Sequence, residues 1–146
     1  MEEGEEDLAK EELKRVDHLI YVTLKYTRTA DIIRNIIGKF ILVLDHETEK
    51  YYQFQFEKGK EKEIPSLPLM RIKKLEATHH KDPKIKDLTD FYIHLKQIYN
   101  AEYRSKEEYR KNVTLVTKDQ EINIAKLRDY LENTRGFVEY LNEQLK

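Results

Sequence analysis

Apolar side chains recur along the first third of the chain at alternating steps of three and four residues. The stripe contains Val16, Leu19, Tyr26, Ala30, Ile33, Ile37, Phe40, Leu44, Tyr51 and Phe54. Only Thr23 and Glu47 interrupt it. This spacing predicts one face of a long amphipathic helix that packs within a helical bundle.

The length of this segment also predicts a break. A straight helix from residue 7 to residue 57 would be about 75 Å long, which is too long for a compact domain of this size. Thr27-Arg28-Thr29 is the favoured position, because threonine hydroxyls can cap a helix or distort its backbone. Gly38 is the second candidate.

Residues 40–56 also fit a β-hairpin. Residues 40–44 are all apolar, with Phe40, Leu42 and Leu44 at alternate positions, and Tyr52, Phe54 and Phe56 alternate with glutamines. A polar connection separates the two segments. That connection lacks Gly, Pro and Asn, and an isolated hairpin is only marginally stable. We therefore favour the helix and keep the hairpin as the alternative.

Several sequence signals predict helix starts in the rest of the chain. Pro65 and Pro68 form a rigid corner, after which the apolar spacing predicts a short helix over residues 67–77. Asp82-Pro83 is typical of a helix start, with Asp as the N-cap and Pro as the first helical residue. After the polar stretch 100–112, Thr117-Lys118-Asp119-Gln120 fits a capping box for the last helix.

Together these segments predict an all-α fold, an antiparallel bundle of four long helices with a short fifth helix near residues 67–77. The 146 residues include only 4 Gly and 3 Pro, which disfavours a sandwich or barrel built on frequent turns. We expect an acidic leader over residues 1–12 and a single helical-bundle domain over residues 13–146.

Composition excludes several classes of protein. The chain has no cysteine, so disulfide frameworks, cysteine-ligated zinc and thiol catalysis are ruled out. No apolar run approaches the ~20 residues of a membrane-spanning helix. Because residues 1–7 are acidic, whereas a secretory signal or a mitochondrial presequence is basic there, we expect a cytoplasmic protein that does not enter a membrane.

The net charge of −1 conceals an asymmetry. Residues 1–12 carry seven acids and one lysine, a net charge of −6, so residues 13–146 carry a net charge of +5. A basic body of this size is compatible with weak nucleic-acid binding. It is equally compatible with an ordinary solvated surface of mixed charge.

Two polar islands interrupt the apolar pattern, at residues 25–31 and at residues 102–110. One interpretation is a ladder of ion pairs on a helix surface, since Glu102, Lys106 and Arg110 are four residues apart. The other is a pocket between two helices, in which arginines bind a phosphate or carboxylate and tyrosines stack on a base. The candidate pocket residues are Tyr26, Arg28, Asp31, Glu102, Tyr103, Arg104, Tyr109 and Arg110.

Metal and cofactor sites are not expected. His79-His80 with Asp82 is the only compact cluster of ligand types in the sequence, but adjacent histidines on regular backbone point in different directions. Phosphate-binding glycine loops, the HExxH motif and nucleophile elbows are absent. We therefore predict no catalytic residue and no cofactor.

The chain resembles the HEPN-type helical domains of prokaryotic toxin–antitoxin and nucleotide-modifying systems. The resemblance lies in its size, its helical layout, the tyrosine-containing segment 19–26 and the proline corner. The ribonucleases of that family carry Arg, then four to six residues, then His. Here seven residues separate Arg71 from His79 and two separate Arg15 from His18, so the resemblance implies a binding or antitoxin-like member. The chain is also similar to small archaeal helical proteins of no known function.

We predict a non-enzymatic interaction or ligand-binding module that forms a homodimer. The dimer is expected because Tyr51, Tyr52, Phe54 and Phe56 extend one helix beyond the length that other helices readily cover. Residues 67–75 could instead fold back over these rings. The alternative functions are a HEPN-type RNA-directed nuclease, an antitoxin-like partner protein and a weak RNA-binding protein.

Overall fold

The computed structural model describes residues 7–144, and most of them are helical. The helices are α1 (Leu8–His18), a π-helical segment (Leu19–Thr23), α2 (Leu24–Tyr26), α3 (Ala30–Glu57), α4 (Pro68–Thr78), α5 (Pro83–Asn100) and α6 (Ile124–Glu143). Three short strands lie between α5 and α6: β1 (Arg104–Lys106), β2 (Thr114–Val116) and β3 (Glu121–Ile122). None of the helices in residues 7–144 is long and apolar enough to cross a bilayer.

The central element is α3, which packs against α1, α4, α5 and α6. Its stripe residues Ile33, Ile37 and Phe40 are fully buried, and the Phe40 ring meets Tyr130 of α6 edge to face. Because residues 40–56 lie within α3, the helix prediction is confirmed there and the hairpin alternative is wrong.

The predicted break at Thr27-Arg28-Thr29 is confirmed. Thr27 leaves the helical conformation, and Thr29 caps α3 by accepting a hydrogen bond at Oγ1 from the Ile32 N–H at 3.2 Å. Gly38 does not break the helix. A Cβ atom at Gly38 would lie 2.6 Å from Cε1 of Tyr99, so the absent side chain allows α5 to approach α3.

The other predicted helix starts are also found. Asp82 caps α5 by accepting from the Lys84 N–H at 2.9 Å, with Pro83 as the first helical residue. The short fifth helix is α4, which begins at Pro68. Residues 7–12 of the acidic leader form the N-cap and first turns of α1, where Ala9 and Glu12 are buried; residues 1–6 of the leader lie outside the described residues.

The all-α prediction is wrong between α5 and α6, where the strands form an antiparallel sheet in the order β1-β2-β3. Ser105 pairs with Leu115, and Leu115 pairs with Ile122. Leu115 and Ile122 are fully buried, and β2 packs against α3. Burial on α3 stabilises strands that are too short to persist alone.

The capping-box prediction is also wrong, because Thr117 and Gln120 lie in the sheet region and not at the start of α6. The Thr117 Oγ1 does accept from the Gln120 N–H at 3.0 Å, but this contact closes the turn between β2 and β3. Helix α6 begins later, at Ile124, with Asn123 as the N-cap that accepts from the Lys126 N–H at 2.9 Å.

The argument for a dimer changes, because α4 folds back over part of the aromatic extension. Tyr51 and Tyr52 are buried, and the Tyr51 ring meets His79 while Lys74 lies over the Tyr52 ring. Phe54 is half-buried, and Phe56 is exposed. The alternative to a dimer, in which residues 67–75 fold back over the rings of the same chain, therefore holds for Tyr51 and Tyr52.

Candidate functional site

The two polar islands lie against each other at the helix break. The Tyr109 N–H donates to the Arg28 carbonyl oxygen at 2.7 Å, and the Ala30 N–H donates to Glu108 Oε2 at 3.1 Å. The Tyr103 hydroxyl donates to Asp31. Sequence positions almost eighty residues apart therefore form one surface, the break face, which we define as residues 25–31 with residues 102–112.

Carboxylates accumulate at the N-terminus of α3 for a physical reason. The first amide groups of a helix lack intrahelical partners and carry partial positive charge. Glu108 binds one of these amides directly, and Asp31 lies in the first turn. The hydrogen bond to Asp31 raises the pKa of Tyr103, so this phenol stays protonated and bound.

Arg34 joins the end of α5 to α3 behind this surface. Its guanidinium lies 4.0 Å from the centre of the Tyr99 ring, and its Nε donates to the Tyr99 carbonyl oxygen at 3.1 Å. Gly38 accommodates the same ring. These contacts hold the residues that lead into β1, and hence Tyr103, in place.

Beside the break face lies a cleft of about 380 Å³, which we call the basic cleft. The residues that line it are Lys25, Arg28, Lys111, Asn112, Asn123, Ile124, Ala125 and Arg128. Four of these side chains are cationic and none is a carboxylate. Like charges in one cleft repel each other unless an anion is present, so the lining favours an anionic ligand.

The cleft cations lack the carboxylate partners that some arginines elsewhere in the fold have. Arg15 pairs with Glu12, and Arg135 pairs with Asp17 and Glu132. Within residues 7–144, none of the four cleft cations forms an ion pair with a carboxylate. Arg28 is half-buried, and its Nε has no hydrogen-bond partner among residues 7–144.

The N-terminus of α6 adds to the positive character of the cleft. Ile124 and Ala125, the first two residues of this 20-residue helix, are part of the lining. Amide groups at such positions have no intrahelical partner and bind anions. The π-helical segment places the centre of the Tyr21 ring 5.3 Å from the guanidinium of Arg128, one of the cleft cations.

Of the candidate pocket residues from the sequence, Arg28 is the one that lines the basic cleft. Arg104 lies exposed on β1, and Arg110 pairs with Glu107 at 3.8 Å with its side chain 78% exposed. Glu102 is exposed just before β1. The remaining candidates form the contacts of the break face or, for Tyr26 and Tyr109, project into solvent.

The ion-pair ladder is wrong, because residues 104–106 are a strand and Glu107 and Tyr109 have left-handed backbone conformations. Lys106 instead lies 3.6 Å from Glu121 on β3. Lys111 and Arg128 are site residues that were not expected from the sequence. The Asn123 N-cap signal could have located the start of α6, and with it one wall of the cleft.

His79, His80 and Asp82 lie together at a second depression in the surface. Asp82 is occupied as the N-cap of α5, and it accepts a hydrogen bond from the Tyr140 hydroxyl. Across residues 7–144, no group of three or more His, Cys, Asp or Glu side chains is placed to hold a metal ion.

Comparison of the chain with protein families, curated proteins and solved structures finds no match. The resemblance to HEPN-type domains therefore stays a prediction. The geometry of the molecule itself carries the functional argument.

Proposed function

We propose that this protein is a non-catalytic binding module whose ligand carries phosphate groups, and that the phosphates occupy the basic cleft. The observation that carries the proposal is the lining of the cleft, with Lys25, Arg28, Lys111 and Arg128 and no carboxylate. Arginine forks and lysine ammonium groups are the side chains that bind phosphate in proteins.

Inorganic tripolyphosphate is a suitable probe, because it carries phosphate charge without a base or a sugar. We expect it to raise the thermal unfolding midpoint beyond an ionic-strength-matched sodium chloride control. The double variant Lys25→Ala/Lys111→Ala should lose at least about tenfold in affinity, because two charged contacts are removed. Both lysines are exposed, so the variant should fold.

The matched control is Lys73→Ala/Lys86→Ala, which removes the same charge from exposed positions on α4 and α5. It should keep wild-type affinity. Equal losses in both double variants would contradict a specific cleft, and so would the lack of any shift in the wild type.

A HEPN-type RNA-directed nuclease is the rival function, and an antitoxin-like role would be a binding function. No Arg in the sequence is followed by His after four to six residues, which favours binding without cleavage. Incubation with total RNA, with and without added divalent metal, distinguishes the two. Cleavage that the Lys25→Ala/Lys111→Ala variant abolishes would overturn the non-catalytic proposal.

We also propose a homodimer, which uses a different surface. Phe56, Leu67, Leu69 and Met70 are 45%, 63%, 41% and 54% exposed around the corner between α3 and α4. Exposed apolar side chains at one corner favour association. Sedimentation at tens of micromolar should show a dimer for the wild type and a monomer for Leu67→Ser/Met70→Ser. A monomeric wild type would overturn this proposal and leave the basic cleft unaffected.

A further inference from the structure

Four tyrosines are exposed among residues 7–144, and all of them lie on or beside the break face: Tyr21, Tyr26, Tyr103 and Tyr109. Tyr21 contacts Arg128, and Tyr103 is bound to Asp31. The side chains of Tyr26 and Tyr109 are 84% and 76% exposed. Proteins ordinarily bury much of a tyrosine ring, so two rings this open at one place are available for an external partner.

The backbone holds Tyr109 in this exposed position. Glu107 and Tyr109 have φ values of 57° and 66°, in the left-handed region that non-glycine residues seldom adopt. The Tyr109 N–H is bound to the Arg28 carbonyl oxygen, and Glu108 between them is bound to the N-terminus of α3. The loop is thus fixed on both sides, and the Tyr109 ring is presented by an ordered backbone.

Each open ring is close in sequence to a cation of the basic cleft. Tyr26 follows Lys25 directly, and Tyr109 precedes Lys111 by two residues. The hydrogen bond from Tyr109 to Arg28 brings the two segments together. The two open rings and the cleft cations Lys25, Arg28 and Lys111 therefore belong to the two segments that this hydrogen bond joins.

We infer that the ligand of the basic cleft is single-stranded nucleic acid, with its phosphates in the cleft and its bases stacked on Tyr26 and Tyr109. This inference rests on the proposed function and adds the chemical class of the ligand. Proteins that bind single strands combine a cationic groove for the backbone with aromatic rings for the bases. A duplex already stacks its bases on each other, so it offers these rings no free base face.

The experiment measures affinity per phosphate by fluorescence anisotropy for probes about eight nucleotides long, because the duplex carries twice the charge of each single strand. The probes are oligo-dT, oligo-rU, an abasic deoxyribose-phosphate strand and a duplex. The test variant is Tyr26→Leu/Tyr109→Leu, which keeps apolar side chains and removes the rings. Leu8→Ala is the control, because it truncates an exposed apolar side chain on α1, outside the break face and the proposed dimer surface.

We expect the wild type to bind oligo-dT or oligo-rU about tenfold or more tighter than the abasic strand, since each stacked base adds to the affinity. The Tyr26→Leu/Tyr109→Leu variant should bind both base-bearing strands only as tightly as the abasic one, and Leu8→Ala should match the wild type.

The failure of this inference is distinguishable from the failure of the proposed function. If the abasic strand or the duplex binds as tightly as the base-bearing strands, base stacking is overturned while phosphate binding stands. If neither the strands nor tripolyphosphate bind, both are overturned.

Discussion

The C-terminal half of α3 and the break face at its N-terminal end both carry charged side chains, but these side chains have different partners. In the C-terminal half, Glu47 is fully buried with Lys50 Nζ 3.3 Å away, and Asp45 accepts from the Tyr92 hydroxyl at 2.7 Å. Arg71, 5% exposed, donates to the carbonyl oxygens of Pro65 and Ser66. By contrast, the cations of the basic cleft form no ion pair with any carboxylate in residues 7–144.

The difference separates structural charges from charges available for binding. A buried charge must be paired or hydrogen-bonded, because removal from water is costly. Clustered surface cations gain nothing for the fold, since their mutual repulsion opposes the compact state. Substitutions in the C-terminal half should therefore change stability and spare ligand binding, and substitutions in the cleft should do the reverse.

The largest effect is expected at Arg71. Arg71→Ala should lower the free energy of unfolding by about 3 kcal/mol, because the carbonyl oxygens of Pro65 and Ser66 lose their buried donor. Urea denaturation measures the change. Tripolyphosphate affinity of the folded variant should stay at the wild-type level. A loss of stability below about 1 kcal/mol, or a weakened affinity for tripolyphosphate, would contradict the separation of structural charges from binding charges.

Glu47 should make stability depend on pH. Burial raises the pKa of Glu47 from an ordinary value of 4.5 to about 7. Its contribution to stability is present below pH 4.5, where the carboxyl is protonated in both states, and is lost as the pH rises through about 7. Glu47→Gln should therefore be more stable than the wild type above pH 7, by on the order of 2 kcal/mol.

Urea denaturation at pH 5 and pH 8 tests this prediction, because the gain should appear at the higher pH and largely disappear at the lower. Glu49→Gln is the control, since Glu49 is exposed on the same helix. A difference between Glu47→Gln and wild type that is the same at both pH values would contradict the role of burial.

Two glycine substitutions compare the close contact between α3 and α5 with an open position on α6. Gly38→Ala should destabilise the fold by about 1–2 kcal/mol, because its Cβ would lie 2.6 Å from the Tyr99 ring. Gly136→Ala has no atom within 4 Å of the new Cβ and should stabilise α6 by about 0.5–1 kcal/mol. Thermal unfolding of both variants gives the comparison, and a stabilising Gly38→Ala would disprove the close packing.

The smallest effect is expected at Arg110, which is exposed and pairs with Glu107 at 3.8 Å. Arg110→Ala should change the free energy of unfolding by less than about 0.5 kcal/mol, because surface ion pairs contribute little. Its affinity for tripolyphosphate should change by less than about twofold, since Arg110 does not line the cleft. A tenfold loss of affinity would indicate that the binding site includes Arg110 and extends towards β1.

Much of the helical framework was predictable because its signals are local. The three-and-four spacing before Phe54, the Thr29 hydroxyl and the Asp82-Pro83 start each act within a few residues, and each appears in the fold. Such signals are read from neighbouring side chains and backbone groups.

The sheet was not predictable in the same way. Its strands are two or three residues long, and their stability depends on Leu115 and Ile122 being buried. The polar residues 102–110 fit a helical ladder equally well in the sequence, and only the packing of β2 on α3 selects the strand.

Local signals along the chain specify where most helices begin, which faces of them are apolar, and that the helix break carries arginine and tyrosine. Which cations share a cleft depends on how the segments pack. Lys25, Lys111 and Arg128 belong to three separate segments, and the sheet and the start of α6 bring them together. Spacing along a chain reports contacts within one helix or strand, whereas a binding cleft depends on distances between segments that packing alone sets.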